Sequence, residues 1–429
     1  MNKFRLTRDS RLAITTLISA CVMLLCWLIS PVLPTLGELP SKVFDEVWET
    51  VNDNFYDPNF NGVDWKAMRA KYKPQVMQAQ SNEAVAAVVN QMLSELKTSH
   101  TRFYIPNEPA YYQILGIFQP RIPDLHKQLK KLFPKDKIEY SGIGIFTKDI
   151  NGKTFVSAIL DGSPAAEAGL KVGDRILSVE GRPFQPLQSF VGKVGTKVMM
   201  LIERSPNLNS QQEIAVTPKM LDATTMFLDA QKASTQVIQQ EGKKIGYVHI
   251  WSYAGDQYQQ QLEEDLIYDR LKDADALVLD LREGWGGAPV TVLNIYTGRG
   301  PSVTSIGRNG RGKTYNSHWK KTVVMLVNEG SRSAKEILAY GFQQYSIGPV
   351  VGSKTAGAVV AGRPFLMQDG SILYLAVADV YVDGKQRLEG KGVTPDVVVP
   401  RSLEYAQGAD LQKERSLQIA LEEATKRRR

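Results

Sequence analysis

Between Pro40 and Leu96 apolar residues return at helical intervals. Val43, Phe44, Val47, Trp48 and Val51 line one face of a predicted helix ending near Tyr56-Asp57-Pro58. Two more helices are predicted over residues 65–72 and about 82–96. Residues 106–138 break the rhythm: proline punctuates them and Lys127, Lys130 and Lys131 make them basic, the pattern of a linker or lid with a short helix. From Glu139 the period becomes that of strands, over 141–146 and again over 155–159. Beyond about 215, short apolar runs at 245–250, 276–282 and 322–327 alternate with helical spacing at 258–271 and 337–342. Alternating strands and helices predict an α/β unit. The chain thus divides into an N-terminal segment 1–37, a helical part 38–105, the linker or lid 106–138, a β-rich unit 139–215, an α/β core 216–402 and a polar basic tail 403–429, read as a peripheral helix.

Composition adds little until it is located. Of the formal charge of +7, the first eleven residues hold +3 and the last four +4, so the body between them is neutral. A neutral body gives no reason to expect nucleic-acid binding. Residues 12–37 carry no charge and follow a basic start, the pattern of a signal peptide or signal-anchor. The absence of an Ala-x-Ala site favours an anchor. Positive charge before the segment predicts an exported body, periplasmic or extracytoplasmic and tethered to the inner membrane. Both cysteines, Cys21 and Cys26, fall inside that segment, so the body has no disulfide, cysteine nucleophile or thiolate metal site.

The candidate chemistry centres on the run 322–327, which turns through Asn328-Glu329-Gly330 into Ser331-Arg332-Ser333-Ala334-Lys335-Glu336 and a helix. A strand, a tight turn and a serine at a helix mouth form a nucleophile-elbow layout. Serine at a helix mouth is also an ordinary cap. The pattern Asn-x-x-Ser-x-Ser-Ala-x-Glu-Ile resembles the nucleophile motif of the carboxyl-terminal processing (tail-specific) peptidases and the tricorn core protease. That resemblance implies Ser333 as nucleophile, with Ser331 a structural neighbour.

Other motifs extend the resemblance. Residues 92–103, with Ser99-His100-Thr101, are similar to the segment that supplies the catalytic histidine in the tricorn-like branch. Gly162-Ser163-Pro164-Ala165 with Gly173-Asp174-Arg175-Ile176 resembles a PDZ domain. There Gly142, Ile143, Gly144 and Ile145 would receive a peptide carboxylate. Asp280-Leu281-Arg282 and Gly286-Gly287 resemble the family's oxyanion segment, with Gly284 where an asparagine is usual. Ser-Lys relatives place their base at the position of Ala358; Lys354 matches a frequent family lysine that is not the base. In the tricorn-like branch a glutamate before Gly-Val-x-Pro-Asp orients the histidine, and Glu389 matches it.

The resemblance therefore implies an α/β catalytic core of ClpP/crotonase-like type with a helical N-terminal part and an inserted PDZ domain. It implies a serine endopeptidase acting on protein substrates through Ser333, His100 and Glu389. The N–H groups of Ala334 and of Gly286 or Gly287 would form the oxyanion hole, with Ser99 a helper. The Glu389 carboxylate is expected to raise the imidazole pKa above its usual 6.5 or so. The PDZ groove would take substrate carboxyl termini. No metal or cofactor is implied, and oligomeric state is not legible. Two other readings are an inactive PDZ scaffold and a lipophilic-ligand carrier, since relatives of this fold include retinoid-binding proteins.

Overall fold

A computed structural model describes residues 38–426 except 289, 290, 299, 307, 309 and 310. The expected export segment lies outside the described residues. Among those described, no helix is long and apolar enough to cross a membrane.

Thr322–Val327 and Ala276–Asp280 are buried at every position, as strands covered on both faces must be. They form the centre of a six-stranded sheet. On one side of Thr322–Val327 lie Val350–Gly352 and Val397–Val398; beyond Ala276–Asp280 lie Lys243–His249 and Gln236–Gln240. Every pairing is parallel except the last. One face is covered by Leu338, Ala339 and Phe342 of helix Ala334–Gln344 and by Leu262 and Leu266 of Asp256–Ile267.

The opposite face corrects the reading of residues 403–429 as a peripheral tail. Helix Leu411–Lys426 lays Ile419, Ala420, Leu421 and Ala424 on Tyr247, Val278, Val324 and Val351. Arg282 fastens its start, donating to Asp280 and Asp410 at 2.7 Å each. Its small apolar stripe is long enough to cover a sheet, and its many charged residues disguised it in the sequence.

Helices Glu38–Asn54, Trp65–Gln78 and Asn82–Ser94 pack on a three-stranded antiparallel sheet of Arg102–Tyr104, Ile372–Ala378 and Ala361–Leu366. Strand Arg102–Tyr104 continues directly from the Ser99-His100 turn, so N-terminal helices and C-terminal strands hold that turn together.

Residues 106–138 are no loose linker. Helix Pro109–Phe118 buries Ile114 and Leu115 completely, and Pro123–Leu129 adds Leu125 and Leu129 to the same cluster. Gly116 is required there, because a Cβ would lie 2.4 Å from the Ala223 carbonyl oxygen. Two of the prolines that suggested a linker, Pro109 and Pro123, stand at the first positions of these helices, where proline is favoured.

Residues 145–216 form a five-stranded antiparallel sheet with its own core of Ile143, Val156, Ile176, Met200 and Ile202. Strands Glu139–Gly142 and Lys219–Asp222 pair at its junction with the rest of the chain.

Candidate active site

Ser331 and Ser333 have different environments. The Ser331 side chain is fully buried; its Oγ donates to the Leu281 carbonyl at 2.9 Å and accepts the Asn328 N–H at 3.0 Å. Both hydroxyl functions are spent on fastening the turn. Ser333 stands at the mouth of helix Ala334–Gln344 with φ 59° and ψ −131°. A non-glycine residue rarely adopts that conformation, and it marks a strained strand-to-helix elbow.

The strain is held by Glu336 and Ala358. Ser333 N–H donates to the Ala358 carbonyl at 2.8 Å and to Glu336 Oε2 at 3.2 Å. Glu336 also accepts Thr355 Oγ1 and the N–H groups of Gly357 and Ala358 at 2.6–2.8 Å. Burial nevertheless pushes its pKa up, the hydrogen bonds opposing. Ala358, the position at which the resemblance puts the lysine of Ser-Lys relatives, thus lies beside the Ser333 backbone. Lys354 is exposed.

His100 is another positive-φ residue, at 54°. Its Nδ1 lies 2.9 Å from Ser99 Oγ. Ser99 meets Glu389 twice, Oγ to Oε2 at 2.9 Å and N–H to Oε1 at 2.8 Å. Glu389 was expected to orient the histidine directly; Ser99 stands between them. Proton counting then fixes the tautomer. The Ser99 hydroxyl gives its single proton to Glu389 Oε2, so toward His100 it accepts, and Nδ1 carries the hydrogen. Nε2 is left unprotonated and able to accept.

The expected rise in the His100 pKa is also corrected. Burial, and then the positive charge of Arg332, push it down to about 4. Glu389 acts through Ser99 and is shared with the Val359 N–H at 2.6 Å, so its charge does not offset desolvation. Tyr374 packs against the ring at 5.4 Å. Among the described residues no hydrogen bond joins Ser333 Oγ to His100.

Gly286 packs against the elbow so closely that a Cβ there would lie 2.6 Å from Ser333 Cβ and 3.0 Å from Ala334 N. The Ala334 and Gly286 N–H groups have no backbone acceptor among the described residues. Gly287, at φ 98°, turns toward Ala254. Gly284, where relatives have asparagine, has φ 67° and no room for a side chain: a Cβ would lie 2.0 Å from the Trp251 carbonyl oxygen.

The sequence reading missed Lys335. It is fully buried, donating to the carbonyls of Glu283 at 2.7 Å and Trp251 at 3.2 Å. Burial pushes its pKa down to about 7, against the pull of Asp280 and Glu283. A lysine between two helix-forming residues resembles any surface position. Only its register, one turn from the apolar Leu338-Ala339 face, hinted at burial.

A cleft of about 320 Å³ runs from Trp285 and Arg332 beside the elbow to Gly142, Ile143, Gly144 and Ile145. Gly144 has φ 77°, and a Cβ there would lie 2.4 Å from Ser163 Cβ. The Ile143 and Gly144 carbonyls are taken by the Ala165 and Leu160 N–H groups. Among the described residues no group of acidic, histidine and cysteine side chains could hold a metal.

Comparison with known proteins gives three family matches: the tricorn protease C1 domain over residues 40–94, a PDZ domain over 155–204 and peptidase family S41 over 244–399. A carboxyl-terminal-processing protease of Synechocystis is 26% identical over 418 residues, covering 90% of this chain and 89% of the relative. Tricorn protease homolog 1 of Streptomyces coelicolor is 25% identical; the match covers 89% of this chain but 35% of that protein. The crystal structure of the tricorn protease matches at a TM-score of 0.54 with 17% identity, over 92% of this chain and 38% of that one, a likeness of fold.

Proposed function

We propose, from the premise that this chain is a serine-type peptidase of family S41 carrying a PDZ domain, that it is an endopeptidase working through Ser333, His100, Ser99 and Glu389. The supporting observation is the dipeptide Ala358-Val359. Ala358 carbonyl holds the nucleophile's N–H, and Val359 N–H holds Glu389, whose other contacts run through Ser99 to His100. One backbone unit thereby ties the nucleophile to the group that orients its base.

In this reading Ser333 Oγ attacks the scissile carbonyl while its proton passes to His100 Nε2. The Ala334 and Gly286 N–H groups receive the oxyanion. The C–N bond breaks as His100 returns the proton to the leaving amine, and water, activated by the same nitrogen, releases the acyl group. Ser99 and Glu389 hold the Nδ1–H tautomer and stabilise the imidazolium. This differs from a Ser-Lys mechanism, whose lysine position holds Ala358.

We place the catalytic core in the ClpP/crotonase-like class, formed by residues 38–105 and 216–402 with the packed C-terminal helix. The PDZ groove takes substrate carboxyl termini, and the body works outside the cytoplasm, tethered by residues 12–37. Incubating the full chain with an unstructured protein substrate tests the activity. Cleavage that Ser333→Ala abolishes supports the reading, and cleavage unchanged by it refutes it.

A further inference from the structure

Arg332, the residue before the nucleophile, is exposed at the mouth of the cleft that leads to the PDZ loop. Its guanidinium lies over the Trp285 ring, 5.5 Å from the centroid. Other arginines near that mouth are committed: Arg102 to Glu108 at 2.6 Å, and Arg401 to Glu283 and Glu329. Arg332 makes no ion pair and donates no side-chain hydrogen bond among the described residues. It is not a charge turned away from the site, for it acts on His100, Tyr104 and Tyr374, which lie around the site.

An arginine parked on an indole with its fork of donors unspent is suited to a planar, bidentate anion. Trp285 sits one residue before Gly286 and Arg332 one before Ser333, so the stacked pair is one residue from both the oxyanion turn and the elbow. Both side chains line the cleft that runs toward the PDZ loop. We propose that Arg332 selects substrates bearing a carboxylate within a residue or two of the scissile bond, pairing with it beside Ser333. The proposal rests on the peptidase reading above and names the substrate class of that site. The carboxylate can belong to an acidic side chain or to a free chain end; the chemistry is the same.

Pairing has a second consequence. The charged and titratable groups facing His100 are Arg332, Tyr374 and, through Ser99, Glu389. An unpaired Arg332 opposes protonation of the imidazole; a bound carboxylate cancels that opposition. The base becomes stronger when the right substrate arrives.

The test uses one internally quenched peptide sequence in four forms: Glu or Gln beside the cleaved bond, each with a free or amidated end. They are given to the full chain and to Arg332→Gln and Arg332→Glu. The expected kcat/KM preference for Glu over Gln is about tenfold, lost in Arg332→Gln and reversed in favour of the Gln peptide by Arg332→Glu. A preference that follows the free end and is lost in Arg332→Gln supports the same site with a terminal carboxylate. In Arg332→Gln the acid limb of kcat/KM for the amidated Gln peptide should also move to higher pH. A carboxylate preference that survives Arg332→Gln, or no preference in the wild type, overturns the proposal while leaving the peptidase reading intact. Failure to cleave any of the peptides, with no labelling of Ser333 by a fluorophosphonate, overturns both.

Discussion

Ser99 and Glu389 meet through two hydrogen bonds, one from the serine backbone and one from its hydroxyl, and that hydroxyl is the contact of His100 Nδ1. In the proposed mechanism the acid therefore acts on the base at one remove. Ser99→Ala should lower kcat by up to about 10⁴, the loss seen when a triad's orienting acid is removed, with a much smaller change in KM. Ser99→Thr, which restores a hydroxyl, should recover part of it. Steady-state kinetics on the purified variants decides; full activity in Ser99→Ala would mean that Glu389 reaches the histidine without help.

A pH profile follows from the His100 environment. A base works unprotonated, and burial with Arg332 pushes this one down to about 4. For a neutral substrate kcat/KM should rise with pH through a limb near 4 to 5 and be flat through neutrality, since kcat/KM reports the free enzyme. A limb centred at 7 would show an imidazole stabilised in its charged form.

Lys335 makes a stability prediction. Unfolded lysine titrates near 10.4, whereas burial pushes the folded one down to about 7. Between those values the unfolded chain binds a proton that the folded chain does not, so raising pH favours the folded state. The stability of the wild type relative to Lys335→Met should therefore grow as pH goes from about 7 to 10. Denaturant unfolding at several pH values measures it; a constant difference would mean an ordinary lysine pKa.

The elements with a strong period were readable: the apolar strands 276–280 and 322–327, the helices before Leu96 and the PDZ turns carried their structure in local pattern. Four features were not. Leu411–Lys426 hides a small apolar stripe among charges, and its role depends on a sheet face that local sequence does not describe. The 109–118 helix begins with a proline that also reads as punctuation. Ser99 and Glu389 are separated by 290 positions, so their pairing depends on how the two halves close. The depressed His100 pKa depends on burial, which the polar neighbours Ser99 and Thr101 concealed.

The PDZ loop carries its own expectation. If Gly142–Ile145 takes a chain end, free-carboxylate peptides should bind the Ser333→Ala full chain more tightly than their amidated forms, and Gly144→Val should erase the difference. The valine would meet Ser163 and would sit at φ 77°. Calorimetry or fluorescence anisotropy reads this directly; equal affinities would remove carboxylate capture.

Lys354→Ala should change kcat by less than about twofold, as expected for an exposed side chain. Large loss there, with full activity in His100→Ala, would return the chain to Ser-Lys chemistry.

In the proposed mechanism Ser333 is the nucleophile and His100 its base. A fluorophosphonate adduct located by peptide mass spectrometry tests it most directly. The adduct is expected on Ser333, absent in Ser333→Ala, present in Ser331→Ala where that variant folds, and formed at least about 10²-fold more slowly in His100→Ala. An adduct on Ser331, or labelling of His100→Ala at the wild-type rate, would contradict it.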